Sequence, residues 1–317
     1  MEIPTEVNGM EINKDSKYIK FVNNGLELAK DIPRYFSKFS NKIFCNHQKI
    51  ILLVLKQKLR TTYRDLVELL KITKIPALIG LKRTPHHTTL VKFAKKIKPK
   101  LLNFLLPFIK AKTTGVDGTG FEVNNQSKHY QMVTGRGIYR RYVKLGISAD
   151  LDKQIILRNA IHKSPRNDCK DFKPLLNGLK MKFVCADKGY DSYENHNFVF
   201  NKLNAKSFIK LKKWESRKGK YFGSRNKAKK IYDNKIYHQR SKLETIFSVI
   251  KRKYGSALRS KSFATQKKEV ICKLIAYNLD RLILSFIRGF QQSRLTIIFK
   301  KRLGFLYRVG KQLTFAV

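Results

Sequence analysis

Of the 317 residues, 68 are Lys or Arg and only 22 are Asp or Glu, and three of those acids stand where carboxylates can do chemistry. Asp117 sits between Val116 and Gly118 in TTGVDGTGFEV. Asp187 closes the apolar run KFVCAD and is followed by Lys188, Gly189, Tyr190 and Asp191, and Glu244 lies in a strongly helical stretch. Hard divalent ions such as Mg²⁺ take oxygen ligands, usually two or three carboxylates plus substrate phosphate. Two such ions about 4 Å apart can activate an attacking oxygen and stabilise the leaving oxygen of a phosphodiester. Taken singly, Asp117 also suits a turn or cap and Asp187 a helix N-cap. Together they make a candidate cation site.

The stretch from Ile236 to about Tyr254 carries the third acid, and helical arithmetic resolves its faces. At roughly 100° per residue, Leu243, Ile246, Phe247, Ile250 and Tyr254 share one apolar arc. Tyr237, Arg240, Glu244 and Lys251 fall within about 60° of one another and form a polar stripe beside it. The stripe suits a carboxylate flanked by cations at the border of a buried face. It equally suits ordinary i, i+4 pairing of Arg240 with Glu244 on a surface helix.

The charge balance says what such a site would act on. The formal net charge is +46, while 42% of residues are apolar and 11% aromatic, so disorder is excluded and a polyanion is the expected partner. Nucleic acid is the commonest polyanion. A membrane surface is the rival, but the longest apolar run, Leu101 to Ile109, is broken by Asn103 and Pro107, far short of the roughly 18 residues of a spanning helix. The opening MEIPTEVNGMEINKD is polar and acidic, unlike a signal peptide. Cys45, Cys169, Cys185 and Cys272 are widely spaced and read as reduced thiols of a cytosolic protein, not as a zinc site or a disulfide framework.

Residues 1–46 are polar and poorly periodic and read as a loosely ordered arm. His47 to Arg60 holds the apolar run Ile50 to Leu55. Thr62 and Asp65 have capping-box spacing ahead of Tyr63, Leu66, Val67 and Leu70. Thr84-Pro85 suggests a third helix start, with the stripe Leu90, Phe93, Ala94 and Ile97 and with Lys92, Lys95 and Lys96 on its other faces. Residues 47–110 thus fit a helix-turn-helix-like DNA-binding domain, and equally any small helical subdomain.

From residue 111 the character changes. TTGVDGTGFEV, YVKLGISADL and QIILRNAIHK read as three strands, Phe172 to Leu179 as a helix and KFVCAD as a strand. Tyr193 to Leu203 reads as a helix, SFIKL as a strand, and a long helix follows an insertion. This order describes an α/β fold, a mixed sheet flanked by helices. The insertion, residues 212–235, holds ten Lys or Arg against Glu215 and Asp233 and is either a solvated loop or a phosphate-backbone contact. Within it Trp214, with Tyr221 and Phe222, could stack on an unpaired base or simply pack. His162 and Asp168 stand in a loop near the proposed site, as a polar cluster or in a supporting role, and His86 and His87 before the third helix are exposed helix-start residues or phosphate contacts. Asp191 could compete with Asp187 for a metal, but Gly189 between them suggests a turn that carries it away.

The helix Tyr237-x2-Arg240-x3-Glu244-x6-Lys251 resembles the Y-(2)-R-(3)-E-(6)-K signature of DDE insertion-sequence transposases. Asp187-Lys188-Gly189-Tyr190 is similar to that family's D-(1)-G-(F/Y) box, and Asp117 in VDGTG looks like its first aspartate. Seventy residues separate the two aspartates and 57 separate Asp187 from Glu244, compatible with members that carry a small insertion. The resemblance covers roughly residues 47–285 and implies a ribonuclease-H-like catalytic domain over 111–287. It implies that Asp117, Asp187 and Glu244 ligate two Mg²⁺ or Mn²⁺ ions, and that Arg240 and Lys251 contact transposon-end phosphates. Tyr237 would pack against the DNA or position the helix. The implied reaction is cleavage of double-stranded DNA at the ends of the protein's own element and joining of the freed 3′-hydroxyls to target DNA. A homodimer or larger assembly on DNA, at the cytoplasmic nucleoid, is expected. The tail 288–317 has no counterpart in the family. The same acids would suit a metal-dependent nuclease without strand transfer, and the charge alone would suit a non-catalytic or domesticated DNA-binding protein.

Overall fold

Eleven residues of alternating and small side chains, Thr113–Val123, form the central strand β1, which pairs antiparallel with β2 (Tyr142–Asp150). β2 in turn pairs antiparallel with β3 (Ile155–His162). On the other side β1 runs parallel to β4 (Phe183–Ala186), which runs parallel to β5 (Lys206–Ile209). The order β3–β2–β1–β4–β5 is completed by β6 (Ala257–Leu258), which pairs with the end of β1. This is the α/β mixed sheet flanked by helices that the order of elements led one to expect.

The structure is a computed structural model and describes residues 6–7, 10–11, 16–107, 109–123, 133, 142–163, 166–212 and 221–287. Trp214, Pro165 and the tail 288–317 lie outside the described residues. By contacts the chain divides into two units, Phe108–Val270 with the sheet, and Met1–Pro107 together with Ile271–Val317.

In the sheet unit, helices cover both faces. α7 (Cys169–Leu176) sends Leu175 against Gly146 of β2, where a Cβ would lie 3.2 Å from its Cδ1. α11 (Ser241–Tyr254) approaches the other face through Gly115 of β1: an added Cβ would meet Leu243 Cδ1 at 2.8 Å and Leu151 Cδ2 at 2.7 Å. The absent side chain is what lets α11 lie this close to β1. The five residues assigned to its apolar arc, Leu243, Ile246, Phe247, Ile250 and Tyr254, are the five that are buried.

The helix does not run unbroken from Ile236. α10 (Asn234–His238) is capped by Asp233, and α11 starts only at Ser241. Between them the amides of Arg240, Lys242 and Leu243 bond to carbonyls three residues back, a tighter turn that periodicity alone does not reveal. Similarly, Tyr193 to Leu203 is a short helix α8 (Tyr193–Asn197) followed by a π-turn at Phe198–Lys202. The insertion contains helix α9 (Gly223–Lys230).

In the helical unit, α2 (Asn46–Leu59) buries Ile50 to Leu55 entirely. α3 (Tyr63–Lys71) has the expected capping box: Asp65 N donates to Thr62 Oγ1 at 3.2 Å and Thr62 N to Asp65 Oδ2 at 3.3 Å. Ile75–Leu78 (α4) and Pro99–Asn103 (α6) are single turns. α5 (His87–Lys96) begins after Pro85, with His86 in the extended N-cap position, so the proline precedes the helix instead of opening it. Its expected stripe, Leu90, Phe93, Ala94 and Ile97, is buried.

The segment read as an arm contains a helix, α1 (Lys17–Ala29), with Phe21, Val22, Gly25 and Ala29 buried. Asn23-Asn24-Gly25 obscures its periodicity, yet a Cβ at Gly25 would meet Ile51 Cδ1 at 2.7 Å, so the glycine marks close packing and not a loop. α12 (Phe263–Ile287) extends past Val270, and its Asp280 pairs with Lys58 of α2 inside the helical unit. No helix of the described residues is long and apolar enough to cross a membrane.

Candidate active site

Strand pairing decides how two of the three acids meet. In the parallel ladder of β1 and β4, Val116 pairs with Ala186, so the next residues, Asp117 and Asp187, leave the pairing side by side. Asp117 Oδ1 accepts from the Gly118 amide at 2.8 Å. Asp187 caps the short 3₁₀ turn Lys188–Tyr190 and accepts from the Lys188 amide at 2.7 Å. The N-cap role is therefore real for Asp187, and it leaves the carboxylate beside Asp117.

Arg240 connects the strand to the helix. Its Nη1 lies 3.5 Å from Asp117 Oδ2, and its Nη2 lies 3.2 Å from Glu244 Oε1, one turn along α11. Tyr237, 8% exposed, interacts through its hydroxyl with both Asp187 and Arg240. Burial, together with the charge of Asp187, holds that hydroxyl in its protonated form against the opposing pull of Arg240. Burial also raises the Asp117 carboxyl; the Gly118 amide and Arg240 oppose this, while Asp187 and Asp168 reinforce it. For Arg240, burial disfavours the charge, but Tyr237, Asp117, Asp187 and Glu244 together outweigh it and fix the guanidinium as a cation.

Asp117, Asp187, Tyr237, Arg240 and Glu244 are thus drawn together, with Arg240 between the acids. Glu244 joins through the arginine and its side chain remains 62% exposed. Among the described residues, no three His, Cys, Asp or Glu side chains form a group that could enclose a metal ion. Lys251 lies two turns beyond Glu244 on the same side of α11, about 10 Å along the axis. The donor chemistry nonetheless fits a hard cation: carboxylates from two adjacent strands, mutually repelling, partly desolvated and balanced by one guanidinium.

Asp168, expected in a loop near the site, is brought against both aspartate turns. Its Oδ1 lies 3.5 Å from where Gly118 would carry a Cβ and its Oδ2 3.7 Å from that point on Gly189, so it faces the residues that follow both aspartates. Lys144 of β2 pairs with it at 2.5 Å. Cys169, next in the chain, donates its thiol to Gly189 O at 3.0 Å. His162, by contrast, pairs with Asp171 at 2.9 Å.

Asp191 is carried away from Asp187, as the intervening glycine suggested, and becomes a buried anchor. It accepts from His196 Nε2 at 3.1 Å, Arg225 Nη2 at 2.5 Å and the Lys212 amide at 2.7 Å. Burial alone would push its carboxyl up, but these donors hold it below its ordinary value. Ser207 Oγ lies 2.9 Å from His196 Nδ1. This serine–histidine–aspartate chain is sealed from solvent and pins α9, through Arg225, to the sheet.

The profile of the family described as transposase DDE domain matches residues 110–279, more than half of the chain. The chain belongs to that family. The matched segment of this transposase domain contains Asp117, Asp187, Tyr237, Arg240, Glu244 and Lys251. No curated protein matches the sequence. Among solved structures, the transposase is similar to a piggyBac transposase determined by cryo-EM in a synaptic complex with hairpin DNA. The two are 9% identical, with 91% of this chain and 79% of that chain covered and a TM-score of 0.45. Its four cysteines are free, three of them buried.

Proposed function

We propose that this transposase cuts double-stranded DNA at the ends of its own insertion sequence and joins the freed ends to target DNA, using one site for both steps. In the first step a water oxygen bonds to phosphorus and the bond to the 3′ oxygen breaks, leaving a 3′-hydroxyl and a 5′-phosphate. In the second, that 3′-hydroxyl attacks a target phosphodiester, a new P–O bond forms, and the target's own 3′-hydroxyl leaves. The observation that carries this reading is the register by which Asp117 and Asp187 leave adjacent strands together, beside a helix bearing Arg240 and Glu244.

Asp117, Asp187 and Glu244 would hold the cations, with Mg²⁺ or Mn²⁺ the fitting ions. When bound, two such ions supply activation of the attacking oxygen and stabilisation of the leaving one. Arg240, released from the carboxylates, turns to a transposon-end phosphate. Lys251 contacts the same backbone further along, and Tyr237 keeps the junction of α10 and α11 in place. The lysines of α9 hold the flanking duplex, and the helical unit binds double-stranded DNA through α5, whose Lys92 and Lys95 are exposed. The protein acts as a dimer or larger assembly on nucleoid DNA in the cytoplasm.

The test is a supercoiled plasmid carrying the gene's flanking DNA, incubated with Mg²⁺, Mn²⁺ or EDTA, for wild type and Glu244→Gln. Metal-dependent breaks at the element ends, absent in the variant, are the expected result. Breaks with no strand joining would favour a nuclease. Tight binding with no breaks in either metal would overturn the catalytic reading.

A further inference from the structure

The loop between α1 and α2 exposes a phenyl ring at its tip, while its base and turn are held by hydrogen bonds. Its base is fixed to the start of α2: Asn46 N donates to Arg34 O at 2.8 Å, Asn46 Nδ2 to Pro33 O at 2.9 Å, and His47 Nε2 to Ile32 O at 2.6 Å. Further out, Tyr35 donates its hydroxyl proton to Lys42 O at 3.3 Å. At the tip, Ser37 and Ser40 close a turn, with Ser40 N donating to Ser37 O and Ser37 N to Ser40 Oγ, both at 3.1 Å. The two residues between them are Lys38 and Phe39. Phe39 is 86% exposed, and among the described residues only the Lys38 ammonium, 5.1 Å from the ring centre, lies over it.

The same loop is docked on α5. Phe36 stacks on Phe93, with centroids 5.7 Å apart and planes 26° from parallel, and Lys96 lies 5.3 Å from the Phe36 ring centre. The exposed side of α5 carries Lys92 and Lys95. A hydrogen-bonded turn with an exposed phenyl at its tip, fastened beside a basic helix, is shaped to enter something. The charges around it choose the occupant. From Lys30 to Lys49 there are Lys30, Arg34, Lys38, Lys42 and Lys49 against Asp31 alone, so a second copy of this surface is repelled and a polyanion is attracted.

We propose that Phe39 is a wedge that enters the DNA minor groove and opens one base step while α5 lies in the neighbouring major groove. This rests on the reading of the helical unit as a duplex-binding unit. Apolar side chains inserted between base steps unstack them and bend the duplex toward the major groove. Phe39 stands three positions along the chain from Phe36, which is docked on α5, so the tip stays within about 10 Å of that anchor. The minor groove is about 6 Å wide, enough to admit a phenyl ring edge-on. Lys38 and Lys42 then face phosphates on either side of the insertion.

The experiment uses the full chain in EDTA, so that no strand is cut, and a duplex of the element's own end with 2-aminopurine scanned through it. Wild type is expected to brighten the probe at one step and to bend the duplex in a circular-permutation gel assay. Phe39→Ala should lose both signals while its affinity falls less than about tenfold, and Phe39→Leu, which keeps an apolar wedge, should retain part of each. Because the ring is exposed at a turn tip, neither change threatens folding. Unchanged brightening and bending in Phe39→Ala would overturn the proposal. So would a variant that leaves the DNA signals intact but alters sedimentation of the free protein, which would make the ring a protein contact. Absence of any duplex binding by wild type would overturn the duplex reading and the wedge together, whereas binding without unstacking would overturn the wedge alone.

Discussion

Arg240 and Asp117 belong to different elements, one at the junction of α10 and α11 and the other in the central strand, and their side chains meet at 3.5 Å. The same guanidinium holds Glu244 at 3.2 Å. One arginine therefore supplies positive charge to both acids. A divalent ion held by Asp117 and Glu244, as proposed, would compete with it for the same oxygens.

Replacing Arg240 with Gln removes that competitor. In the absence of DNA, Mn²⁺ should bind the variant more tightly by about tenfold, the scale of unit charges a few ångströms apart near a surface. Titration calorimetry on the full chain reads this directly. Cleavage of end DNA should fall despite the tighter binding, because the proposed contact of Arg240 with phosphate is lost. Weaker Mn²⁺ binding in the variant would show that Arg240 organises the acids more than it competes for them.

Asp117 and Asp191 should move stability with pH in opposite directions. Asp117 is raised, chiefly by burial. Between the ordinary 3.8 and its higher folded value, the folded state keeps a proton that the unfolded chain has lost, so stability declines as pH rises across that interval. Asp117→Asn should accordingly raise the thermal midpoint in EDTA at neutral pH, with the gain vanishing below the ordinary carboxylate range. Asp191 is lowered by its donors, so its contribution is present above 3.8 and is lost as pH falls through its folded value.

Removing the Asp191 carboxylate should be severe. Asp191→Ala leaves the buried Arg225 guanidinium without its carboxylate partner, and breaking such a pair costs about 3–5 kcal/mol. Urea denaturation should show the loss, with Ser207→Ala, which spares the ion pair, losing far less. Retention of wild-type stability in Asp191→Ala would mean that α9 is held by other contacts.

The lysines of α9 provide a salt-dependent test. Lys227 and Lys229 lie over the rings of Phe200 and Tyr221 at 4.7 and 5.4 Å, and Lys227, Lys229 and Lys230 are all exposed. Neutralising each one that touches a phosphate should reduce the slope of log affinity against log salt by about one. An unchanged slope in the triple variant would return the segment to a solvated surface.

What the chain disclosed in advance was whatever depended on local spacing. The apolar arc of α11, the capping box of Thr62 and Asp65, and the three strands before α7 all follow from neighbours within a turn or a pleat. The break at Gln239 and Arg240 was hidden because a tightened turn shifts the helical phase too little to disturb the pattern. α1 was hidden by Asn23-Asn24-Gly25, whose polarity imitates a loop although Gly25 is there for close packing. Asp168 could be suspected from its loop but not placed, since its approach to Gly118 and Gly189 exists only once α7 docks on the sheet. Arg240 was legible as a neighbour of Glu244, while its bond to Asp117, 123 residues earlier, required the tertiary fold.

The pairing of Val116 with Ala186 makes the backbone a ruler. Neighbouring strands lie about 4.8 Å apart in any sheet, whatever their side chains. Cations that share a phosphodiester must sit about 4 Å apart. The gauge of the candidate site is thus set by amide-to-carbonyl spacing common to all proteins, and drift in the surrounding core cannot stretch it. A slip of one residue in that ladder would turn Asp187 to the opposite side of the sheet, so the site tolerates changes of composition but not of register.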